Sequence, residues 1–145
     1  MKLRDIMTDD IVTIQPQSTV MDAAIVMQAH NVGSVPVCTQ EGQLVGIVTD
    51  RDIVVRNVAN NGDPNTTKVE EVMTKQVITG NPDMDVNQAI QLMAQHKIRR
   101  LPVMESNKLI GLVALGDLAT NFAANDQAGE ALSQISSPSR PMNLH

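Results

Sequence analysis

Gly46-Ile47-Val48-Thr49-Asp50-Arg51-Asp52 and Gly111-Leu112-Val113-Ala114-Leu115-Gly116-Asp117 are two versions of one local design. In the first, the apolar run from Leu44 to Val48 reads as the end of a strand. The polar residues after it read as the start of a helix that continues through Ile53, Val54 and Val55. The first N–H groups of a helix have no intrahelical partner and the dipole is positive at that end, so such a corner favours an anion. Thr49 and Asp52 also fit a capping box, with Thr at the N-cap and an acid three residues on. That box is worth about 1 kcal/mol to the helix and needs no ligand.

Working outward, the doubling of this stretch extends over most of the chain. Ile6-Met7-Thr8 recurs as Val72-Met73-Thr74, 66 positions later (72 − 6). The same offset carries Thr13 to Thr79, Pro16 to Pro82, Val20 to Val86, Met27 to Met93, His30 to His96 and Pro36-Val37 to Pro102-Val103. After one deletion in a turn the offset shortens by one, taking Leu44 to Leu109, Gly46 to Gly111 and Asp52 to Asp117.

Each copy has the same local signals. A short strand (Ile11 to Ile14, Val77 to Thr79) ends at a Pro-containing turn. In the following helix Val20, Ala23, Ala24 and Met27, or Val86, Ala89, Ile90 and Met93, fall on one face. A strand at Val35 to Cys38 or Leu101 to Met104 then turns at Glu41-Gly42 or Ser106-Asn107 into Leu44 to Thr49 or Leu109 to Ala114, and a second helix closes the copy. The expected class is α/β, with a first repeat at 1–60, a turn-rich linker at 61–67, a second repeat at 68–125, and a tail at 126–145. Within the tail a short helix is expected at Ala128 to Ile135 and fraying around Ser136 to Pro141.

Composition excludes several function classes. With 145 residues and 42% hydrophobic content the chain can build a core, but Phe122 is the one aromatic, so that core consists of aliphatic residues and nine Met. A net charge of −5 and the missing stacking aromatics disfavour nucleic acid. The single Cys38, flanked by apolar residues, reads as a small hydrophobe. No apolar stretch is long enough for a membrane span and no secretory leader is evident, so a cytoplasmic location is expected. His30 and His96 read as helix C-terminal residues favoured by the dipole. No metal site, nucleophile with a base or phosphate-binding Gly-Lys loop is found, so no enzyme activity, catalytic residue or catalytic cofactor is expected.

Two copies of β-α-β-β-α, each with Met-Thr at its start, an apolar-Pro-Val strand in the middle and Gly-x-x-(Thr)-x-x-Asp at its end, resemble a tandem pair of CBS domains, or Bateman module. The resemblance covers about residues 4 to 124. It is similar to small stand-alone bacterial proteins of this kind. It implies two repeats about a pseudo-two-fold axis, with two clefts that bind adenosine-containing ligands, and commonly a homodimer. A resemblance to the accessory segment of IMP dehydrogenase does not extend to catalysis, because 145 residues cannot include a barrel of roughly 250.

The resemblance also assigns residues. In the family the motif's Asp holds the ribose hydroxyls and its Ser or Thr the phosphate, which implies Asp52 and Thr49 here. The second copy keeps Asp117 but has Ala114 where Thr stands. The position before the middle strand carries Arg99-Arg100 in the second copy and Gly33-Ser34 in the first. In related modules it reaches the phosphate held by the other copy's motif, so the two arginines favour a phosphorylated ligand at the Thr49–Asp52 corner. The base is expected on Ile47, Val77, Ile78, Ile98 and Leu112, with the backbone from Gln76 to Ile78 reading its edge. A second, weaker site is expected around Asp117, Val12, Thr13 and Ser34. The implied function is a regulatory module that binds AMP, ADP or ATP in a cleft between the repeats and signals to a regulated protein. A ligand-free scaffold, S-adenosylmethionine binding and nucleic-acid binding are the alternatives.

Overall fold

The computed structural model describes residues 1–122, with the side chains of 119–122 excepted; the expected tail helix and frayed segment lie outside the described residues. The chain folds as α1 (Val20–His30), β1 (Ser34–Cys38), β2 (Leu44–Thr49), α2 (Asp50–Arg56), α3 (Val69–Val72), α4 (Val86–His96), β3 (Arg100–Glu105), β4 (Lys108–Ala114) and α5 (Leu115–Phe122). Short 3₁₀ turns occupy Leu3–Asp5 and Val58–Asn60. The α/β class holds. The strand expected at the start of each repeat is reduced to one bridge, Ile14 beside Val37 and Gly80 beside Val103. Pro16 and Pro82 follow two residues later, and a residue with no N–H cannot extend the pairing.

Local chemistry explains the helix ends. Thr19 Oγ1 accepts from the Asp22 N–H at 3.1 Å while Asp22 accepts from the Thr19 N–H at 3.0 Å, a reciprocal cap on α1. Asp85 and Gln88 do the same for α4. Both helices end on a residue in the left-handed region, Asn31 (φ 53°) and Lys97 (φ 52°), directly after His30 and His96. The histidines thus stand at the negative dipole end, where a cation is favoured.

The chain divides into two compact units that are cut differently from the sequence repeats. The first unit is Asp10–Val77 with the hairpin tip Met104–Ile110; the second contains Met1–Asp9, Ile78–Val103 and the chain from Gly111 onward. In the first unit β1 and β2 pair antiparallel, Val35 opposite Val48 and Val37 opposite Gly46, with an irregularity between Val37 and Cys38. Its core is Ile14, Val20, Ala23, Met27, Val35, Val37, Val48, Val69, Val72 and Met73. Cys38 is buried beside these strands, and burial pushes its thiol pKa up, so it packs in the protonated form.

Val69, Val72 and Met73 come from the start of the second repeat, so the opening segment of that repeat completes the first unit's core. Linker carbonyls hold it there: Val20 N–H donates to Thr67 O and Met21 N–H to Pro64 O, both at 2.9 Å, satisfying two of the unpaired donors of α1. The second unit mirrors this with the first repeat's opening segment. Leu3, fully buried, donates its N–H to Met84 O at 3.0 Å, and Val86 N–H donates to Met1 O at 3.0 Å at the start of α4. Arg4 hydrogen-bonds Asp83, and its guanidinium holds that exposed carboxyl below the usual carboxylate range.

Candidate functional site

The corner at β2–α2 is assembled from three segments of the first unit. Thr49 is the N-cap of α2: its Oγ1 accepts from the Asp52 N–H at 3.1 Å, and Asp52 Oδ2 accepts from the Thr49 N–H at 3.0 Å. The capping box read from the sequence is therefore formed. It leaves the Thr49 hydroxyl proton free to donate, and it uses one oxygen of a carboxylate that can accept on both.

Asp52 is 8% exposed, one of two buried polar residues among those described. Its burial comes from the Met73–Thr74 segment. Ile47 and Thr74 exchange a pair of backbone hydrogen bonds, at 2.9 and 2.8 Å, so the segment lies along the free edge of β2. A Cβ on Gly46 would meet Met73 Sδ at 2.6 Å and Thr74 O at 2.8 Å, so this close approach requires glycine. Thr74 Oγ1 then stands 3.4 Å from both Asp52 oxygens, longer than a good O–H···O bond and open to replacement by a better-placed hydroxyl.

Arg56, one turn beyond Asp52, locks the arrangement. Its Nη1 donates to Val72 O and Met73 O at 3.1 Å each, and its Nε lies 4.0 Å from Asp52 Oδ1. The guanidinium thus satisfies carbonyls at the end of α3 and turns the Met73–Thr74 segment toward the carboxylate. Beside it is a depression of about 640 Å³ lined by Arg56, Glu70, Glu71, Met73, Thr74, Lys75 and Gln76. Sequence reasoning assigned Gln76 here but missed Arg56, Thr74 and Lys75. The Met-Thr pair in both copies, opposite a glycine in both strands, was the available signal.

The second unit holds the matching corner at β4–α5. Leu112 and Thr8 exchange backbone bonds of 2.9 and 2.8 Å, and a Cβ on Gly111 would meet Met7 Sδ at 2.6 Å. With Ala114 in place of a hydroxyl residue, half of the box remains: Asp117 Oδ2 accepts from the Ala114 N–H at 3.2 Å. Asp117 is half-buried where Asp52 is buried. Arg99 and Arg100 are exposed, and the Arg99 carbonyl accepts from the Leu115 N–H at 2.8 Å, positioning the basic pair next to the start of α5.

Of the residues expected to bind ligand, the first unit thus holds Ile47, Thr49, Asp52, Gln76 and Val77, with Val12, Thr13 and Ser34 of the weaker site. The second holds Ile78, Ile98, Arg99, Arg100 and Leu112, with Asp117. Ile47 and Val77 in the first unit, and Ile78, Ile98 and Leu112 in the second, are each partly exposed. Among the described residues no group of three or more His, Cys, Asp or Glu side chains could hold a metal ion, and no helix is long and apolar enough to cross a membrane.

These features agree with what the chain is similar to. The CBS domain model matches residues 3–57 and again 69–124. The CBS domain-containing protein YhcV of Bacillus subtilis is 48% identical over 134 residues, spanning 92% of this chain and 94% of YhcV. The solved CBS domain pair of protein MJ0100, in complex with 5′-methylthioadenosine and S-adenosyl-L-methionine, has a TM-score of 0.74 at 29% identity. It covers 86% of this chain and 97% of that one. The inosine-5′-monophosphate dehydrogenase of Methanocaldococcus jannaschii is 33% identical over 90% of this chain but only 26% of its own length. With both repeats matched and both Met-Thr edges and Gly-to-Asp corners in place, the chain belongs to the CBS-domain family and carries the domain twice in tandem.

Proposed function

We propose that the protein is a regulatory ligand-sensing module, not an enzyme, which binds a phosphorylated adenine nucleotide (AMP, ADP or ATP) at the Thr49–Asp52 corner. The observation that carries this is the inequality of the two corners. One has a buried carboxylate whose Oδ1 takes no part in the cap and has only the long contact to Thr74 and the Arg56 guanidinium beside it, a hydroxyl proton available to donate and a helix N-terminus; the other lacks the hydroxyl. In this reading Asp52 Oδ1 takes a ribose hydroxyl, displacing the long contact to Thr74, and Thr49 donates to a phosphate oxygen. Arg99 and Arg100 supply the charge-assisted donors that select a phosphorylated ligand. Ile47, Gln76, Val77, Ile78, Ile98 and Leu112 receive the base. Occupancy shifts the geometry of the module or of a homodimer, and a regulated protein in the cytoplasm reads that shift.

A second reading is favoured by the MJ0100 complex: binding of S-adenosylmethionine or methylthioadenosine, in which Asp52 keeps its ribose role and the arginines have none. Melting the full chain with AMP, ADP, ATP, S-adenosylmethionine or buffer separates the two. A ligand at 100 times its Kd adds about 2.7 kcal/mol and raises Tm by several degrees. The expected result is the largest shift with a nucleotide, lost in Asp52→Ala and in the double variant Arg99→Ala, Arg100→Ala, and retained in Asp117→Ala. A shift with S-adenosylmethionine that survives removal of both arginines selects the second reading. Loss of the shift in Asp117→Ala alone overturns the choice of corner.

A further inference from the structure

Every backbone donor that opens α2 is already engaged. Thr49 N–H donates to Asp52 Oδ2 at 3.0 Å and Asp50 N–H to Gly33 O at 2.9 Å. Arg51 N–H donates to Asp50 Oδ1 at 2.8 Å, and Asp52 N–H to Thr49 Oγ1 at 3.1 Å. The N–H groups that a helix start would offer an anion are thus closed, one of them by a carboxylate of the chain itself. What the corner still offers a phosphate is the Thr49 hydroxyl proton. Asp50 Oδ1 and Thr49 Oγ1 accept from successive N–H groups of one turn, so the carboxylate stands beside that hydroxyl. The second repeat lacks this acid. Leu115 stands where Asp50 does, although its N–H makes the same bond, to Arg99 O at 2.8 Å. The strand approach differs in step, with Gly33 where the second repeat has Arg99. A Cβ on Gly33 would meet Asp50 Oδ2 at 3.0 Å, so the missing side chain leaves room for the acid. Asp50 is exposed and has no ion-pair partner among the described residues, which leaves its charge to act on a ligand.

We propose that Asp50 is the charge selector of the Thr49–Asp52 corner, a tethered carboxylate that favours a nucleoside monophosphate over the di- and triphosphate. The inference rests on the nucleotide reading above and deepens it. A phosphate that takes the Thr49 proton comes close to a like charge, and each further phosphate adds to the repulsion. In a corner open to water, one such pair of charges changes affinity about three- to tenfold. The arginines of the second repeat reward a phosphate; Asp50 limits how many charges it brings.

Titration calorimetry of the full chain with AMP, ADP and ATP in magnesium-free buffer tests this, using wild type, Asp50→Asn and Asp50→Leu. Asn keeps an acceptor oxygen for the Arg51 N–H and removes only the charge, while Leu reproduces the second repeat. Wild type is expected to prefer AMP. Both variants should bind ATP about tenfold more tightly and AMP about threefold, and these gains should fade as salt rises. A wild type that prefers ATP, an equal gain for all three nucleotides, a gain indifferent to salt, or weaker binding in both variants overturns the selector and leaves the nucleotide reading standing. A wild type that binds S-adenosylmethionine and none of the three nucleotides fails at the reading itself, and the selector falls with it.

Discussion

At β2–α2 and at β4–α5 the same backbone is built twice. A glycine admits a Met-Thr segment onto the strand edge, two backbone hydrogen bonds hold it there, and an acid folds back over the first turn of a helix. What differs is Thr49 against Ala114, Asp50-Arg51 against Leu115-Gly116, Arg56 against Asn121, and the depth of the acid. The Met-Thr edge therefore serves the fold, since both corners need it. The hydroxyl and the buried carboxylate are what one corner has beyond that need. A duplicated fold supplies its own internal control: a feature in both copies is read first as architecture, and a feature in one copy as a candidate for function.

The comparison can be broken or sharpened by substitution. The largest effect is expected at the glycines. Gly46→Ala drives a Cβ against the Thr74 carbonyl at 2.8 Å as well as Met73 Sδ, and the backbone cannot yield as a side chain can. Its cost in urea unfolding should be about 3 kcal/mol, against about 1 kcal/mol for Gly111→Ala, where the carbonyl of Thr8 is 3.2 Å away and the Met7 chain can swing aside. Equal costs would mean that both edges are equally rigid. Next comes Asp52→Ala, which removes a cap and leaves Arg56 without its carboxylate; about 2 kcal/mol is expected, more than for Asp117→Ala. A larger loss at Asp117 would reverse the ranking of the corners.

Ala114→Thr sharpens the comparison from the other side. It completes the second capping box and should stabilise the chain by about 1 kcal/mol. If the missing hydroxyl is what weakens that corner, the variant should also gain a nucleotide-dependent Tm shift that remains in an Asp52→Ala background. The smallest effect is expected at the Arg4–Asp83 contact, which ties the first segment to the second unit at an exposed position. The folded-state pKa of Asp83 lies below its ordinary 3.8. The stabilisation is thus in full force above that value and disappears as pH falls through the lowered pKa. Wild type and Asp83→Asn should differ slightly in Tm at neutral pH and converge in acid. A difference that grows in acid would contradict the pair.

Much of the fold was legible because the information is local and periodic. Thr19 with Asp22, Thr49 with Asp52, and the faces of Val20 to Met27 and Val86 to Met93 are set within one or two helical turns, and the structure contains each of them. In place of the strands expected at Ile11 to Ile14 and Val77 to Thr79 there are single bridges at Ile14 and Gly80, ahead of Pro16 and Pro82, and alternation in so short a run cannot report how long a partner edge is. At the site, Thr49 and Asp52 were legible as a spacing. Thr74 and Arg56 were not, since one approaches through backbone hydrogen bonds and the other grips carbonyls, and backbone contacts leave little mark on residue type.

The amino-acid sequence by itself determined the duplication, the position of each corner, the caps that start the helices and the loss of the hydroxyl at Ala114, all consequences of side-chain chemistry at short range. Only the tertiary structure decided that the opening segment of each repeat completes the unit built on the other repeat's hairpin. Main-chain donors and acceptors make that choice, pairing Thr8 with Leu112 and Thr74 with Ile47, and they are alike in every residue except proline. The burial of Asp52 follows from that exchange, because the segment that covers it arrives from the second repeat.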